Sequence, residues 1–393
     1  MRSPLPYLLL LVLALSACQR AAAPLPQEIY VWQRQWTPAV LDALHAARPT
    51  FSAYRVLAAE TDRAGALLSA APDLSALAAT RTPVTAVLRL NGADPAPDIA
   101  ALNARIRQIS NDWRAAGIAL QGVEIDHDCA TARLPAYAQL LAAVRVAMPR
   151  ELRLSITALP TWTQSPALRD VLATVDESVL QVHAVRTPAA GLFDVRAARR
   201  WVQTYAQVSP KPFRVALPAY GVRAEFDADG HALRVSAEMP RDDLGADARE
   251  LEASPAQVAA LLRGLERAPP ANLAGVLWFR LPNAQDQRAW SLQTLRAVID
   301  GAPLAPAFAA HVENATDLVL ANSGPIDAAM PGVRVLAGAC DAADGANGFT
   351  ARAERDGWRF VAPPAVTLRA GRARRIGWLH CGNVQKVEID ENQ

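Results

Sequence analysis

At 393 residues, 51% apolar and 20% charged, the chain can build a core of about 250 residues and a second, smaller domain. Forty Lys and Arg against 38 Asp and Glu leave a net of +2, so no basic field draws nucleic acid. Lys211 and Lys386 are the only lysines and the arginines are dispersed, so no polybasic run is expected to bind anionic lipid or phosphate; four cysteines are too few for a disulfide scaffold and lack the CxxC pairs of a zinc ribbon.

Arg2 precedes an apolar run over 7–14, far short of the roughly 20 residues that span a bilayer. Residues 1–18 read as a signal peptide. Its end, Leu15-Ser16-Ala17-Cys18, resembles the bacterial lipobox, in which cleavage precedes a cysteine that is then acylated. The resemblance implies export and membrane anchoring through Cys18, and Gln19 in place of aspartate favours the outer membrane, facing the periplasm. Of the remaining cysteines, Cys340 and Cys381 are candidates for a disulfide in that oxidising compartment, and Cys129 reads as a small buried hydrophobe.

A Pro/Ala tether occupies 19–27. From there, strand-like apolar runs at 28–32, 53–58, 84–90, 120–126, 152–158, 179–184, 213–217 and 275–279 alternate with helical patterns such as 37–47, 99–116, 134–148 and 254–266. Eight strands alternating with helices predict an α/β fold, a (β/α)8 barrel over 28–302. A doubly wound sheet is the alternative, but no GxGxxG or GxxxxGK[ST] turn follows the first strand. From 305 to 393 short alternating runs separated by Gly, Asn and Pro predict a small β-sandwich, expected to pack on the barrel.

Chemistry in such a barrel sits where the strands end. The fourth strand closes on Glu124-Ile125-Asp126-His127-Asp128, with carboxylates at every second position. Period-two geometry points all three inward, about 6.6 Å apart along the strand, and turns Val123, Ile125 and His127 to the helices. Three carboxylates in a partly dry mouth cannot all ionise, and one that keeps its proton can act as a general acid. The alternative is that they pair with inward arginines such as Arg89 or Arg280 and only stabilise the barrel.

This strand resembles the DIDWE-like fourth strand of family-18 glycoside hydrolases, the chitinase family. Leu154-Ser155-Ile156-Thr157-Ala158, Gln181-Val182-His183, Ala216-Leu217-Pro218-Ala219-Tyr220-Gly221 and Gly275-Val276-Leu277-Trp278 are similar to its later strands, in order. The combination of lipobox, ExDxDC, SITALPxW, LQVHAV and ALPxYG resembles a bacterial lipoprotein family, domain of unknown function 3142. The glycosidase resemblance implies that Asp128 protonates the glycosidic oxygen and that Asp126 orients the substrate's acetamido group as internal nucleophile. Two positions depart from that family: Asp128 is one methylene shorter than its glutamate acid, and His183 and Ala184 replace its tyrosine and acidic neighbour on the sixth strand. His183 is a candidate donor or base, since imidazole titrates near neutrality.

Trp32, Trp162, Tyr220 and Trp278 fall at or just beyond strand ends, where flat faces stack on sugar rings, and Gln181 joins them as a candidate substrate contact. The resemblance puts Trp278 at the floor of the cleft. No metal or cofactor motif is present: HExxH, His-x-His and GxSxG are all missing. The expected partners are a glycan and, through Cys18, the membrane, with no nucleic acid, and the chain is expected to work as a monomer. Two functions remain, hydrolysis of an envelope or environmental glycan and non-catalytic glycan binding or scaffolding.

Overall fold

The computed structural model describes residues 24–62, 64–91, 98–184, 191–236, 248–364 and 366–390. The lipobox and Cys18 lie outside them. Eight parallel strands form a closed barrel: β1 (Gln27–Val31), β2 (Ala53–Thr61), β3 (Val84–Arg89), β4 (Leu120–Asp126), β5 (Arg153–Ala158), β6 (Glu177–Gln181), β7 (Phe213–Pro218) and β8 (Leu273–Phe279). The seam closes where β1 pairs with both neighbours, Ile29 lying opposite Trp278 of β8 and Tyr54 of β2.

Helices coat the barrel: α1 (Pro38–Ala47), α2 (Leu74–Thr80), α3 (Ile99–Ala115), α4 (Leu134–Ala147), α5 (Leu168–Ala173), α6 (Val195–Val208), α7 (Pro255–Arg267) and α8 (Leu292–Asp300). Side chains of Asp73, Asp98, Asp194 and Ser291 accept the orphan amides that open α2, α3, α6 and α8. In α3 the buried Leu102, Ile106, Ile109 and Trp113 recur at helical spacing and face the sheet. Between β7 and β8 the chain adds a three-stranded antiparallel sheet, Gly221–Phe226, Ala232–Ser236 and Arg249–Glu252.

Alternation along the strands divides the apolar residues into two clusters. Ile29, Val56, Val123, Ile125, Leu217, Val276 and Trp278 pack against the helices. Tyr30, Trp32, Leu57, Val87, Val179, Ala216 and Leu277 fill the barrel interior. Below this interior layer lies a charged network whose members come from six strands. Arg55 of β2, 3% exposed, donates to Glu28 at 2.9 Å, to Ser155 at 3.2 Å, and to both Glu124 and Glu177. Arg214 of β7 adds ion pairs to Glu28 at 3.0 Å and Glu177 at 3.1 Å. Gly275 makes room for it: a Cβ there would run into the Arg214 guanidinium and come within 2.6 Å of the Pro26 carbonyl.

After α8 the chain forms two four-stranded antiparallel sheets. Leu318, Leu320, Ile376 and Leu379 of one meet Val333, Val335 and Phe360 of the other in a separate core, a small sandwich. Cys340 and Cys381 are opposed on adjacent strands and joined by a disulfide. The sandwich grips the barrel next to the seam. Asp327 accepts from the Ser291 amide at 2.6 Å, the Ser291 hydroxyl at 2.7 Å and the Ala370 amide at 2.8 Å, and Arg369 donates to the Asp286 carbonyl in the loop after β8.

Replacing Arg55 with Met leaves buried carboxylates with too little counter-charge, an error that costs about 3–5 kcal/mol. Urea denaturation of Arg55→Met is expected to show a loss of that size, while Arg107→Met on the exposed face of α3 changes stability by less than about 0.5 kcal/mol. Equal losses would refute a central role for Arg55.

Candidate active site at the barrel mouth

The mouth is built by continuing each strand's inward phase. On β4 the phase runs Glu124, Asp126, Asp128, but the three carboxylates do not share one environment. Glu124 is fully buried inside the barrel, where it accepts from Tyr30 Oη at 2.5 Å and from Arg55. Burial raises its carboxyl pKa against the pull of Arg55, and raises the Tyr30 phenol far above its ordinary value. Glu124 therefore belongs to the interior network and not to the mouth, a correction to the three-acid reading whose cause is the depth of one inward step along the strand.

Asp126 ends β4 at 2% exposure and accepts from Thr157 Oγ1 of β5 at 2.7 Å and from Arg89 Nη1 of β3 at 2.5 Å. Asp128 stands at the rim, its side chain 38% exposed, 3.3 Å from Arg89 Nη2. One guanidinium thus spans both carboxylates. It is steadied by Asn91 at 3.1 Å and lies 5.9 Å from the centroid of the Trp32 ring. Burial and the charge of Asp126 raise the Asp128 carboxyl pKa despite Arg89. Of the pair, Asp128 sits where a proton can be exchanged with a ligand or solvent.

His183 follows β6 in the phase of Glu177, Val179 and Gln181, so its ring closes the inner wall and Gln181 stands half-buried just below it. Its Nδ1 lies 3.3 Å from the Ala216 carbonyl, and burial depresses its pKa to about 4. That corrects the expectation of an imidazole titrating near neutrality. With Nδ1–H given to a carbonyl that can only accept, Nε2 offers a lone pair. Phe279 sits at the centre of the aromatic wall, with ring centroids 5.2 Å from Tyr220, 5.3 Å from Trp32, 5.7 Å from Tyr30 and 5.9 Å from His183.

Two predicted sugar contacts lie elsewhere. Trp278 is fully buried on the helix side of β8, its Nε1 donating to Gln27 Oε1 at 2.8 Å, because the inward residues of that strand are Leu277 and Phe279. Trp162 is fully buried on the turn Pro160–Gln164, where its Nε1 donates to the Cys129 carbonyl at 3.0 Å beside Tyr137. Trp32 and Tyr220 do reach the mouth, 4% and 7% exposed. Cys129 is buried, and its thiol is pushed up to about 11 by burial and by Asp128.

Sequence reasoning missed Phe279, Thr157 and Tyr30. Phase would have found the first, since Phe279 lies two residues after Leu277 and four after Gly275. Among the described residues the metal-type side chains that converge are Asp227, Asp229 and His231, within 4.8 Å of one another. They sit on a hairpin turn in which Asp227 accepts the His231 amide at 2.7 Å. A backbone turn accounts for the grouping without a metal.

Residues 80–284 match the family model described as Domain of unknown function (DUF3142), and residues 307–382 match Domain of unknown function (DUF8456). No curated protein matches the chain. Among solved structures, the spore cortex-lytic enzyme SleL of Bacillus cereus aligns with TM-score 0.51 and 14% identity over 71% of this chain and 75% of its own. A chitinase from Chromobacterium violaceum gives 0.48 and 15% over 70% and 98%, and one from Bacteroides thetaiotaomicron gives 0.47 and 12% over 66% and 90%. At such identities the likeness is one of fold.

The depressed pKa of His183 has a consequence for stability. Between about 4 and the unfolded value of 6.5 the unfolded chain binds a proton that the folded one refuses, so this contribution is present above 6.5 and is lost as pH falls toward 4. Urea midpoints at about pH 7 and about pH 5 are expected to diverge less in His183→Asn than in the parent. Parallel losses in both proteins would mean that His183 is not a buried neutral ring.

Proposed function

The chain belongs to the DUF3142 family, and on that premise we propose that its barrel mouth binds a glycan and hydrolyses a glycosidic bond, with Asp128 as general acid and Asp126 as the orienting carboxylate. The observation that carries this reading is the contrast within one pair: a buried, twice hydrogen-bonded Asp126 beside a rim Asp128 whose pKa is raised. Environments that separate two neighbouring carboxyls assign acid and charge-stabiliser.

The chemistry takes an N-acetylated sugar with its acetamido N–H on Asp126. Asp128 gives its proton to the glycosidic oxygen as the bond to the anomeric carbon breaks. The acetamido oxygen forms the new bond to that carbon, and Asp126 offsets the positive charge left on the ring nitrogen. Water, losing a proton to the Asp128 carboxylate, then opens the ring and restores the acid. Phe279, Trp32 and Tyr220 supply apolar faces for the sugar, and Gln181 and the His183 Nε2 lone pair are polar contacts at its edge. The protein would act as an envelope lipoprotein, acylated at Cys18 and held at the outer membrane facing the periplasm.

A second reading, non-catalytic glycan binding, is favoured by Arg89. Its guanidinium is bonded to both carboxylates and competes with a ligand for them, and Asp128 reaches about 1.3 Å less far than a glutamate, a shortfall to which catalysis is sensitive. Reducing-end release from a panel of N-acetylated and neutral oligosaccharides separates the two. Hydrolysis is expected on an N-acetylated member and falls about 10²–10⁴-fold in Asp128→Asn, with a comparable loss in Asp126→Asn. Turnover untouched by either substitution sinks the assignment, and binding without turnover selects the second reading.

A further inference from the structure

Strand β1 begins at Gln27 on the floor of the barrel, the end where all eight parallel strands start. Leu25 is already buried there, and the Pro26 carbonyl accepts the Val276 amide, so the chain is pinned to the floor from residue 25. Six residues lie between Cys18 and Leu25, seven steps along the chain with a reach of at most about 25 Å. Whatever holds Cys18 therefore holds the floor close by.

That floor is basic. Arg48, Arg81, Arg150 and Lys211 lie in the connections that lead into β2, β3, β5 and β7, and Arg267 ends α7 on the same side. None of them has an ion-pair partner among the described residues, whereas Arg114 and Arg145 nearby are paired with Glu151 at 2.8 Å and Asp176 at 3.1 Å. The exposed acids toward this end are Asp112, Glu151, Asp176 and Asp300, of which Glu151 and Asp176 are the ones already paired with Arg114 and Arg145. Helix C-termini also point here, each carrying about half a negative charge, but each guanidinium brings a whole positive one. Between the ends of α1 and α2 lies a shallow, widely open cavity of about 470 Å³, lined by His45, Arg48, Phe51, Ser52, Arg81 and Thr82 among others, with no carboxylate in its wall. Composition excluded a polybasic run; folding gathers dispersed cations onto one face.

We propose that this floor docks on an anionic phospholipid bilayer, with Arg48 and Arg81 receiving a lipid phosphate between them, so that the mouth looks away from the membrane. The basic face needs no acyl group to act, and it stands or falls independently of glycan chemistry at the mouth.

The test uses the chain from Gln19, which lacks the acylated cysteine and contains every described residue. It is expected to float with vesicles of phosphatidylcholine containing about one third phosphatidylglycerol, not with phosphatidylcholine alone, and to be released by about 0.5 M salt. Arg48→Ala and Arg81→Ala are each expected to lower the bound-to-free ratio about fivefold, and the Lys replacements to retain it. Flotation that ignores lipid charge, or that survives both alanine substitutions, overturns the proposal, as does failure to float at all, which would leave these cations serving only the helix ends. Stabilisation by inorganic phosphate without flotation would assign the cavity to a free anion and likewise overturn the membrane role.

Discussion

Everything at the mouth depends on one buried guanidinium. Arg55 holds Glu28 of β1, Glu124 of β4 and Glu177 of β6 at a single level inside the barrel, and Arg214 of β7 ties two of these again. Burying three carboxylates is tolerable only around such a centre. A one-residue slip in any of these strands would turn its glutamate out to the helices. The ion network therefore fixes phase. With Glu28 inward, Tyr30 and Trp32 follow; with Glu124 inward, Asp126 and Asp128 follow; with Glu177 inward, Gln181 and His183 follow.

Above the network, Leu57, Val87, Val179, Ala216 and Leu277 form an apolar layer that separates two electrostatic settings. Below it the charges are nearly balanced and dry, with Glu177 drawn below its ordinary value because Arg55 and Arg214 outweigh the penalty of burial. At the mouth a single guanidinium faces two carboxylates and the rim is wet, so a carboxyl there can still exchange a proton. Tyr30 bridges the layers, its ring among the mouth aromatics and its hydroxyl on Glu124.

Much of the fold was legible because it is written in short-range periodicity. The eight strands appear as apolar runs, and the acid strand shows as carboxylates two apart. Resemblance misled where phase decides: it puts Trp278 at the floor of the cleft, although its neighbour Phe279 carries the inward phase. Trp162 lies on a turn whose direction no periodicity reports. The Arg55 network was illegible because its partners come from strands far apart in sequence, and a lone Arg in an apolar strand announces no partner. In the sandwich, Cys340–Gly345 forms a strand although its Asp, Ala and Gly residues have weak β propensity, held there by the disulfide and by pairing with Arg372–Cys381.

A barrel made from one chain has a last joint, where its final strand must find its first. Here that joint is β8 against β1, and the loop leaving it is the one that Arg369 of the sandwich reaches, while Asp327 caps the helix that follows. The sandwich thus works as a clasp across that joint. The loop that follows Phe279 is held in part by residues of the sandwich that never touch the aromatic wall.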